Sequence, residues 1–247
     1  MSAAKLRLDQ LLVARGLAAS RQQAQALILA GEVFAAGQKA AKPGHQLPAD
    51  VELDVRAHTP RFASRAGDKL AAALDHFAVP VAGRLGLDIG SSTGGFTDCL
   101  LVRGARRVHA VDSGTNQMIW RLRTDARVHL LEKTNARYLQ AEDLGGERPS
   151  LLVMDVSFIS ATLLLPAVTP LLEPGAEVIV LVKPQFEAGR EAVGKGGLVH
   201  DPAARHAAVR RVAAALEQLG GRGLDEMPSP VLGASGNQEY LLHAVLQ

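Results

Sequence analysis

The sequence predicts an α/β fold in which a small α+β unit precedes a doubly wound, mostly parallel sheet with an antiparallel last strand. Apolar runs of strand length alternate with helical patterns from residue 85 to residue 219, which is typical of βαβ units. Two further apolar runs follow without a helix between them, as in a terminal hairpin. With 47% hydrophobic and 21% charged residues, the 247-residue chain has a globular composition. We expect two domains, residues 1–59 and residues 60–247.

The N-terminal segment carries the basic excess of the chain. Its first 48 residues contain six Lys or Arg against two Asp or Glu, whereas the formal charge of the whole chain is only +2. This excess is a candidate footprint for nucleic acid, and the alternative is an ordinary solvated surface. Two helices are predicted, over residues 5–17 and 21–30, the second lying between Ser20 as N-cap and Gly31. The other elements expected here are short strands near 32–38 and 51–55 and a linker over 56–61.

Residues 85–95 have the pattern of a strand, a tight glycine-rich turn and the start of a helix, where open α/β sheets bind ligands. Ser92 replaces the middle glycine of the dinucleotide fingerprint, and Gly94-Gly95-Phe96 does not match the end of a P-loop. A nucleoside cofactor without phosphates requires neither of these motifs, and S-adenosylmethionine is one such molecule. Asp88, at the end of the strand, could help to hold its amino-acid portion. The alternative is a plain turn that binds nothing.

The next two predicted strands, over residues 106–111 and 127–131, also end in polar residues. Asp112 ends the first of them, and a carboxylate at that place suits the diol of a ribose. Asn135 follows the second and is expected either to meet an adenine edge or to cap the next helix. A helix is predicted over residues 116–122, with Trp120 as an anchor in the core or in an interface.

Charged residues occupy matching places at the ends of two strongly apolar predicted strands. Asp155 follows residues 150–154, and Lys183 follows residues 175–182. Charged residues rarely end a buried strand unless they are paired or functional. Glu239 opens the last strand, and Lys69 lies in the first turn of a helix, where the helix dipole disfavours a cation. We expect these groups to converge in an active site; the alternatives are a structural salt-bridge network and, for Lys69, simple exposure.

The remaining features limit the class of protein. The single cysteine, Cys99, excludes an internal disulfide and fits a reducing compartment, so we expect a cytoplasmic protein. The eight histidines lack metal-ligand spacing, and no metal site is expected. Residues 151–172 are apolar enough for a membrane span but contain Asp155 and two prolines, so a strand followed by a helix is expected instead.

The last elements predicted are a loop or lid at 186–199, a helix at 203–219 capped by Asp201, and strands near 223–232 and 240–246.

The N-terminal segment resembles a ribosomal-protein-S4-like RNA-binding domain. The resemblance rests on Arg7-Leu8-Asp9, on Ser20-Arg21 with the apolar helix that follows, and on Gly31-Glu32-Val33. It implies that the segment binds structured RNA through cations on its paired helices. The candidate RNA-binding residues are Arg7, Arg15, Arg21 and Lys39, together with Arg65 just beyond this segment.

The larger segment resembles the FtsJ-type ribose 2'-O-methyltransferases and, more closely, the TlyA (hemolysin A) family of ribosomal-RNA methyltransferases. Lys69, Asp155, Lys183 and Glu239 occur in the order of the Lys-Asp-Lys-Glu tetrad of the FtsJ type. The closer resemblance rests on local words that include Ser64-Arg65-Ala66-Gly67-Asp68-Lys69-Leu70, Leu87-Asp88-Ile89-Gly90-Ser91-Ser92-Thr93-Gly94-Gly95-Phe96-Thr97-Asp98, Asp155-Val156-Ser157-Phe158-Ile159-Ser160, Lys183-Pro184-Gln185-Phe186-Glu187 and Gly236-Asn237-Gln238-Glu239-Tyr240.

This resemblance implies a Rossmann-like methyltransferase sheet, S-adenosylmethionine as cofactor, and 2'-O-methylation of cytidine in 16S or 23S ribosomal RNA, as naked RNA or in ribosomal subunits. Lys183 is expected to act as base or hydroxyl activator, with Asp155 as its partner, while Lys69 and Glu239 position the ribose. The residues expected to bind the cofactor are Asp88, Gly90, Ser91, Ser92, Thr93, Gly94, Gly95, Phe96, Asp112, Asn135 and Asp155.

Two other functions compete with this interpretation. A noncatalytic RNA-binding or ribosome-assembly factor could retain the fold without the reaction. A membrane-acting hemolysin is the second alternative, because the family also carries that name. The tetrad and the glycine-rich turn argue against the first, and the charges that interrupt every apolar stretch argue against the second.

Overall fold

The computed structural model describes residues 5–40, 42–55, 61–233 and 236–247, and the chain divides into two compact units, Met1–Thr59 and Pro60–Gln247. Apart from Arg61, the predicted linker lies outside the described residues. In the smaller unit β1 pairs with β4, and β2 lies between β3 and β5 in a three-stranded sheet. Its elements are β1 (Lys5–Arg7), α1 (Leu8–Ala14), α2 (Arg21–Ala30), β2 (Val33–Ala35), β3 (Gln38–Lys39), β4 (Gln46–Pro48) and β5 (Leu53–Val55).

The two helices of the smaller unit form because their apolar faces share one small core. Ser20 caps α2 by accepting a hydrogen bond from the backbone of Gln23, and Gly31 ends it in the left-handed conformation, as predicted. The first helix begins three residues later than expected, because the backbone of β1 pairs with β4 instead. Its core consists of Leu8, Leu12, Ala18, Ala24, Ile28, Val33 and Ala40.

The larger unit is a seven-stranded sheet with helices on both faces. Single turns of 3-10 helix, at 136–138, 141–144, 161–163, 169–171, 190–192 and 195–197, supplement its helices. Its strands are β6 (Leu85–Ile89), β7 (Arg107–Val111), β8 (Val128–Leu131), β9 (Leu151–Met154), β10 (Glu177–Val182), β11 (Gly221–Pro228) and β12 (Tyr240–Leu246). Its helices are α3 (Ala66–His76), α4 (Gly95–Val102), α5 (Trp120–Arg123), α6 (Leu165–Val168), α7 (Pro184–Glu187) and α8 (Pro202–Gln218).

The strand order β11-β12-β10-β9-β6-β7-β8 confirms the predicted doubly wound sheet. Strands β6 to β10 are parallel to one another, and β12 runs antiparallel between β10 and β11. The chain leaves β6 toward β7 on one side and later returns to β9 on the other. This reversal opens a crevice at the carboxyl ends of β6 and β9, where ligands of such sheets bind.

The central strands are buried on both faces, which explains why they appear as continuous apolar runs in the sequence. Leu152 and Met154 of β9 join the cluster that α8 covers, whereas Leu151 and Val153 join the cluster under α3 and α4. Cys99 of α4 is fully buried in the second cluster. The sheet therefore has two cores, and polar side chains at its carboxyl edge are held by packed elements on both sides.

Three local predictions were wrong. The segment after β7 is helical only over α5, because Asn116 adopts φ +56° and leaves the right-handed helical region. Trp120 is 76% exposed, so the core alternative was wrong and Met118 and Leu122 fill the core in its place, while the interface alternative stays a prediction. Strand β11 begins two residues before the predicted start and ends at Pro228. Within the described residues, none of the helices is both long enough and apolar enough to span a membrane.

Candidate active site

The turn between β6 and α4 is built on glycines in the left-handed region, where a larger residue would be strained. Gly90 has φ +86°, and a Cβ there would lie 2.5 Å from the backbone oxygen of Asp155. Gly94 has φ +96°, and a Cβ there would lie 2.4 Å from Cδ1 of Leu122. The turn can therefore pass directly against the end of β9 and against the segment of α5.

Asp112, at the end of β7, fixes two backbone segments at this edge. Its Oδ2 accepts a hydrogen bond of 2.8 Å from the backbone N–H of Ser92, and its Oδ1 accepts one of 2.6 Å from Gly114. The carboxylate lies on the wall of a cavity of about 530 Å³. This acidic cavity is lined by Ile89, Gly90, Ser92, Val111, Asp112, Ser113, Gly114, Gln117, Thr134, Asn135, Ala136, Asp155, Val156, Ser157, Phe158, Ile159 and Leu164.

The charges of the acidic cavity indicate what kind of ligand it accepts. Asp112 and Asp155 line it, and none of the described residues that line it is Lys or Arg. Apolar side chains such as Ile159 and Leu164 complete the wall. A ligand with phosphates would meet carboxylates and no cation, whereas a cationic ligand with an apolar ring and a hydroxylated sugar fits these groups.

The predicted cofactor residues fall into two groups. Gly90, Ser92, Asp112, Asn135 and Asp155 line the acidic cavity. Asn135 also accepts a hydrogen bond of 3.0 Å from the backbone of Arg137, which confirms its expected role as a helix cap, while the contact with an adenine edge stays a prediction. Sequence reasoning missed the polar lining residues Ser113, Gln117, Thr134 and Ser157, although their places just after β7, β8 and β9 are the available signal. The residues that shape the turn behind the cavity without lining it are Asp88, Ser91, Thr93, Gly94, Gly95 and Phe96.

Asp88 is completely buried beneath this turn. Its Oδ2 accepts a hydrogen bond of 2.6 Å from Thr97 Oγ1, while Oδ1 has no partner among the described residues. Burial raises the pKa of Asp88 to about 7; the Thr97 hydrogen bond opposes this shift, and the charges of Asp155 and Asp112 add to it. The carboxyl group can therefore gain or lose a proton near neutral pH, and its free oxygen can accept a further hydrogen bond.

A second cavity, of about 520 Å³, adjoins the first and shares Ser157 and Phe158 with it. Three residues of the predicted tetrad line this lysine cavity, while the fourth, Asp155, lines the acidic cavity. The structure thus brings the four predicted residues together at the boundary between two cavities. The lysine cavity is lined by Ser64, Arg65, Ala66, Lys69, Ser157, Phe158, Lys183, Gln185, Phe186, Val193, Gly197, Leu232 and Glu239.

The tetrad consists of two ion pairs. Lys183 Nζ lies 2.6 Å from Asp155 Oδ1 and donates a hydrogen bond of 2.8 Å to Ser157 Oγ. Lys69 Nζ lies 2.5 Å from Glu239 Oε2, and both of these side chains are buried. The pairing of Lys69 explains why a cation stands in the first turn of α3. Ser157 is a functional candidate that sequence reasoning did not single out, although it lies two residues after Asp155.

Two further contacts fix the loops that carry the tetrad. Glu187 is buried and accepts hydrogen bonds of 2.5 Å from Ser160 Oγ and 2.7 Å from the backbone of Ala161, so it ties the end of α7 to the segment after β9. Burial raises its pKa, and these hydrogen bonds oppose the shift. The ring of Phe186 lies 5.3 Å from that of Phe158, which is 91% exposed at φ +66°. A bulky residue rarely adopts that conformation, so the loop is constrained in a strained form.

The predicted RNA-binding residues of the smaller unit differ in their contacts. Arg7 and Arg21 both bind the buried carboxylate of Asp9, and their own side chains remain 36% and 54% exposed. Arg15 instead donates its guanidinium to the backbone oxygens of Ala49 and Val51, at 2.5 and 2.6 Å. Lys39 is exposed, and Arg65 in the larger unit is an exposed residue of the lysine cavity.

Comparisons with known proteins agree with this architecture. Residues 62–245 match the FtsJ-like methyltransferase family, and residues 6–53 match the S4 domain. The chain is 48% identical over 241 residues to the 16S/23S rRNA (cytidine-2'-O)-methyltransferase TlyA of Mycobacterium tuberculosis, a match that covers 97% of this chain and 90% of that protein. It is 40% identical to Hemolysin A of Brachyspira hyodysenteriae, over 98% of this chain and all of that one.

A solved structure extends the likeness to three dimensions. A Streptococcus thermophilus protein described as a candidate hemolysin superposes with a TM-score of 0.76 at 42% identity, covering 99% of this chain and 89% of that one. These matches confirm the resemblance drawn from the local sequence words. The chain belongs to the FtsJ-like methyltransferases and, within them, to the family of TlyA, with an S4 domain at its N-terminus.

Proposed function

We propose that this protein transfers a methyl group from S-adenosylmethionine to the 2'-hydroxyl of a cytidine in ribosomal RNA. The observation that carries the proposal is the pair of adjoining cavities. One is acidic and suited to a cation without phosphates, and the other holds two lysines paired with carboxylates. Lys183 and Asp155 stand where the two cavities meet, which is where a methyl donor and an acceptor would have to approach each other.

The acidic cavity would hold the cofactor. Asp112 would accept hydrogen bonds from the ribose diol, and Asn135 would face the adenine edge. Asp88 lies behind the turn and does not line the cavity, so its unpartnered oxygen would act on the ammonium group of the cofactor through water. The carboxylates that line the cavity favour a sulfonium cation. When bound, the cofactor supplies a methyl group that is already activated on sulfur.

The lysine cavity would hold the target nucleotide. A ribose hydroxyl is a weak nucleophile near neutral pH, so it needs a group that orients it and takes its proton. Lys183 Nζ is fixed between Asp155 and Ser157. As an ammonium it would orient the hydroxyl and favour loss of its proton, and in its neutral form it would accept that proton while the oxygen takes the methyl group. Lys69 and Glu239 would hold the sugar in line with the methyl group, and such orientation supplies much of the acceleration of a displacement reaction.

Two observations support an RNA substrate. The smaller unit is an S4 domain with partly exposed Arg7 and Arg21. The Mycobacterium tuberculosis relative is named for cytidine 2'-O-methylation in 16S and 23S rRNA, and we carry that substrate over to this chain. A ribosomal substrate would also place the protein in the cytoplasm.

The test is methyl transfer from radiolabelled S-adenosylmethionine to separated ribosomal subunits and to their naked RNAs, taken from a strain that lacks this protein. Label in 2'-O-methylcytidine would support the proposal and name the subunit. Label on a base would overturn the assignment of the tetrad. If the cofactor binds and no RNA is labelled, the noncatalytic function takes its place, whereas leakage of liposomes at protein concentrations that give no methylation would favour the hemolysin alternative.

A further inference from the structure

We propose that Gln185 selects the base of the target nucleotide, by accepting a hydrogen bond from the exocyclic amino group of cytosine. The inference deepens the proposed function and rests on it, because it concerns the nucleotide that the lysine cavity would hold. Gln185 follows Lys183-Pro184 directly and lies in the first turn of α7. It is therefore attached to the same short element as the lysine that would activate the hydroxyl.

The observation behind the proposal is an unsatisfied oxygen. Gln185 lines the lysine cavity, and its Oε1 is buried without a hydrogen-bond partner among the described residues. Buried polar atoms are normally bonded, because an unpaired one loses its hydration without compensation. We therefore expect Oε1 to accept a hydrogen bond from a donor that enters the cavity with the substrate.

The neighbours of Gln185 indicate which part of the substrate brings this donor. Phe158 and Phe186 line the same cavity with rings 5.3 Å apart, and aromatic rings are the usual platforms for an unstacked base. Of the three cations that line the cavity, Lys183 and Lys69 are already paired with carboxylates and Arg65 is exposed. The cavity thus combines a sugar-activating pair with an aromatic and amide surface of the kind that binds a base.

An internal pyrimidine nucleotide has few groups that could donate a hydrogen bond to Gln185. Its 3' and 5' oxygens are esterified, so its only donors are the 2'-hydroxyl and the N–H groups of the base. The 2'-hydroxyl is required at Lys183. Within the target nucleotide, the base is therefore the group that can supply a donor to Gln185.

Cytosine and uracil differ in which atoms of their base-pairing edge donate and which accept hydrogen bonds. Cytosine presents an amino donor beside the N3 acceptor, which matches the Oε1 and the Nε2–H of one amide. Uracil presents an acceptor where cytosine has its amino group and a donor at N3, so it would pair with this amide only if the amide turned over and moved Oε1 from its buried place. The orientation of the amide in the structure favours cytosine, and the geometry assigns this discrimination to Gln185.

The test uses the full-length protein and ribosomal RNA whose methylated cytidine has been mapped. That nucleotide is kept as cytidine, changed to uridine, or replaced by pyrimidin-2-one riboside, which lacks only the amino group. Gln185→Leu removes the acceptor and Gln185→Glu keeps one. Gln218→Leu, on an exposed position of α8, is the matched control. Values of kcat/KM for each RNA and the Kd for S-adenosylmethionine are measured for every variant.

We expect the wild-type protein to prefer cytidine over uridine by at least roughly a hundredfold, and the Gln185→Leu variant to retain less than roughly a tenth of that ratio. Gln185→Glu should retain more of the preference than Gln185→Leu. The control should behave as wild type, and cofactor affinity should change in none of them. An unchanged cytidine-to-uridine ratio in Gln185→Leu would overturn the proposal.

A second measurement keeps the inference testable if Gln185→Leu fails to fold. Wild-type protein should methylate the pyrimidin-2-one riboside about as poorly as Gln185→Leu would methylate cytidine, and equal rates on cytidine and on this analogue would refute the role of the amino group. Failure of the proposed function is separate from either result, because wild-type protein would then form no 2'-O-methylcytidine at all.

Discussion

Lys183 has two oxygen neighbours that hold its ammonium group in one place. Asp155 supplies charge at 2.6 Å and Ser157 a neutral oxygen at 2.8 Å, and the side chain is only 12% exposed. A lysine held in this way loses little freedom when the hydroxyl of a substrate arrives. Its orientation, more than its charge, distinguishes it from an exposed lysine.

We predict that Lys183→Ala strongly lowers the rate of methyl transfer while leaving the fold and the cofactor affinity intact. The loss should be about a hundredfold to ten-thousandfold in kcat, the range for a positioned acid–base group. Single-turnover methylation and calorimetric titration of S-adenosylmethionine measure the two effects. Arg210→Ala, an exposed cation on α8, is the control, and an active Lys183→Ala protein would contradict the assignment.

Asp88 makes stability depend on pH. Its pKa is raised from the ordinary 3.8 to about 7, so between these values the folded protein keeps a proton that the unfolded chain releases. The stabilisation is complete below about pH 4 and is lost as pH rises through about 7. Asp88→Asn lacks this titration and can still accept the Thr97 hydrogen bond.

The prediction concerns the difference in unfolding free energy between wild type and Asp88→Asn, from denaturant titrations without cofactor. Relative to the variant, the wild-type protein should become less stable from about pH 5 to about pH 7 and then level off above about pH 8. A difference that does not change with pH would show that Asp88 stays charged throughout.

Short elements position the residues of the candidate site relative to one another. Glu187 closes α7 onto the segment after β9 through two hydrogen bonds, so one buried carboxylate sets the spacing between the loops of Lys183 and Asp155. The same contact fixes the backbone on which Phe158 and Phe186 approach each other. Packing alone could not specify this spacing, because both loops are only partly buried.

We predict that Glu187→Ala lowers kcat by roughly tenfold to a hundredfold with little change in the Kd for S-adenosylmethionine, because a small misplacement of reacting groups is costly. Ser160→Ala tests the same contact from the other side. In a double-mutant cycle the two changes should be far from additive in their effect on kcat. Additive effects would mean that Glu187 acts in some other way.

Elements were predictable from the sequence where local chemistry and burial agree, as at Ser20 and Gly31 of α2 or in the apolar runs of β9 and β10. They were mispredicted where long-range pairing decides. Strand β1 exists because β4 lies beside it, and the 46–48 segment has no apolar alternation to reveal it. Trp120 was expected in the core or in an interface, yet only the tertiary path of the chain shows that Met118 and Leu122 are the buried residues.

The candidate site shows the same division at the scale of the whole molecule. Residues at strand ends, such as Asp112, Asp155 and Lys183, could be found because a parallel sheet brings its carboxyl ends to one edge. The pairing of Lys69 with Glu239 joins residues 170 positions apart, and only the folded chain reveals it. The aromatic pair and the orphaned amide of Gln185 depend on loop conformations that no local pattern encodes.

The smaller unit should give RNA binding its salt dependence. Arg7 and Arg21 share Asp9 but stay partly exposed, whereas the guanidinium of Arg15 binds backbone oxygens within the unit. Replacing both Arg7 and Arg21 by Ala should reduce the slope of log K against log salt by about 1.4 to 1.8 if each arginine contacts one phosphate. Filter binding to ribosomal RNA over a salt series measures this slope.

Arg15→Ala is the matched control for that experiment. It should lower the thermal stability of the smaller unit and leave the salt slope as in wild type, because its donors serve the fold. If Arg15→Ala changes the slope as much as the double variant does, the assignment of RNA contacts in this unit is wrong.

The burial of Cys99 has a practical consequence for experiments in solution. It is the only cysteine of the chain, it lies on α4 behind the glycine-rich turn, and burial raises the pKa of its thiol to about 12. The thiolate is the form that attacks thiol reagents, so these reagents can modify the native protein only when α4 opens. The rate of thiol modification therefore measures how often α4 and the glycine-rich turn open. Cysteines introduced at the surface can carry fluorescent labels with little background.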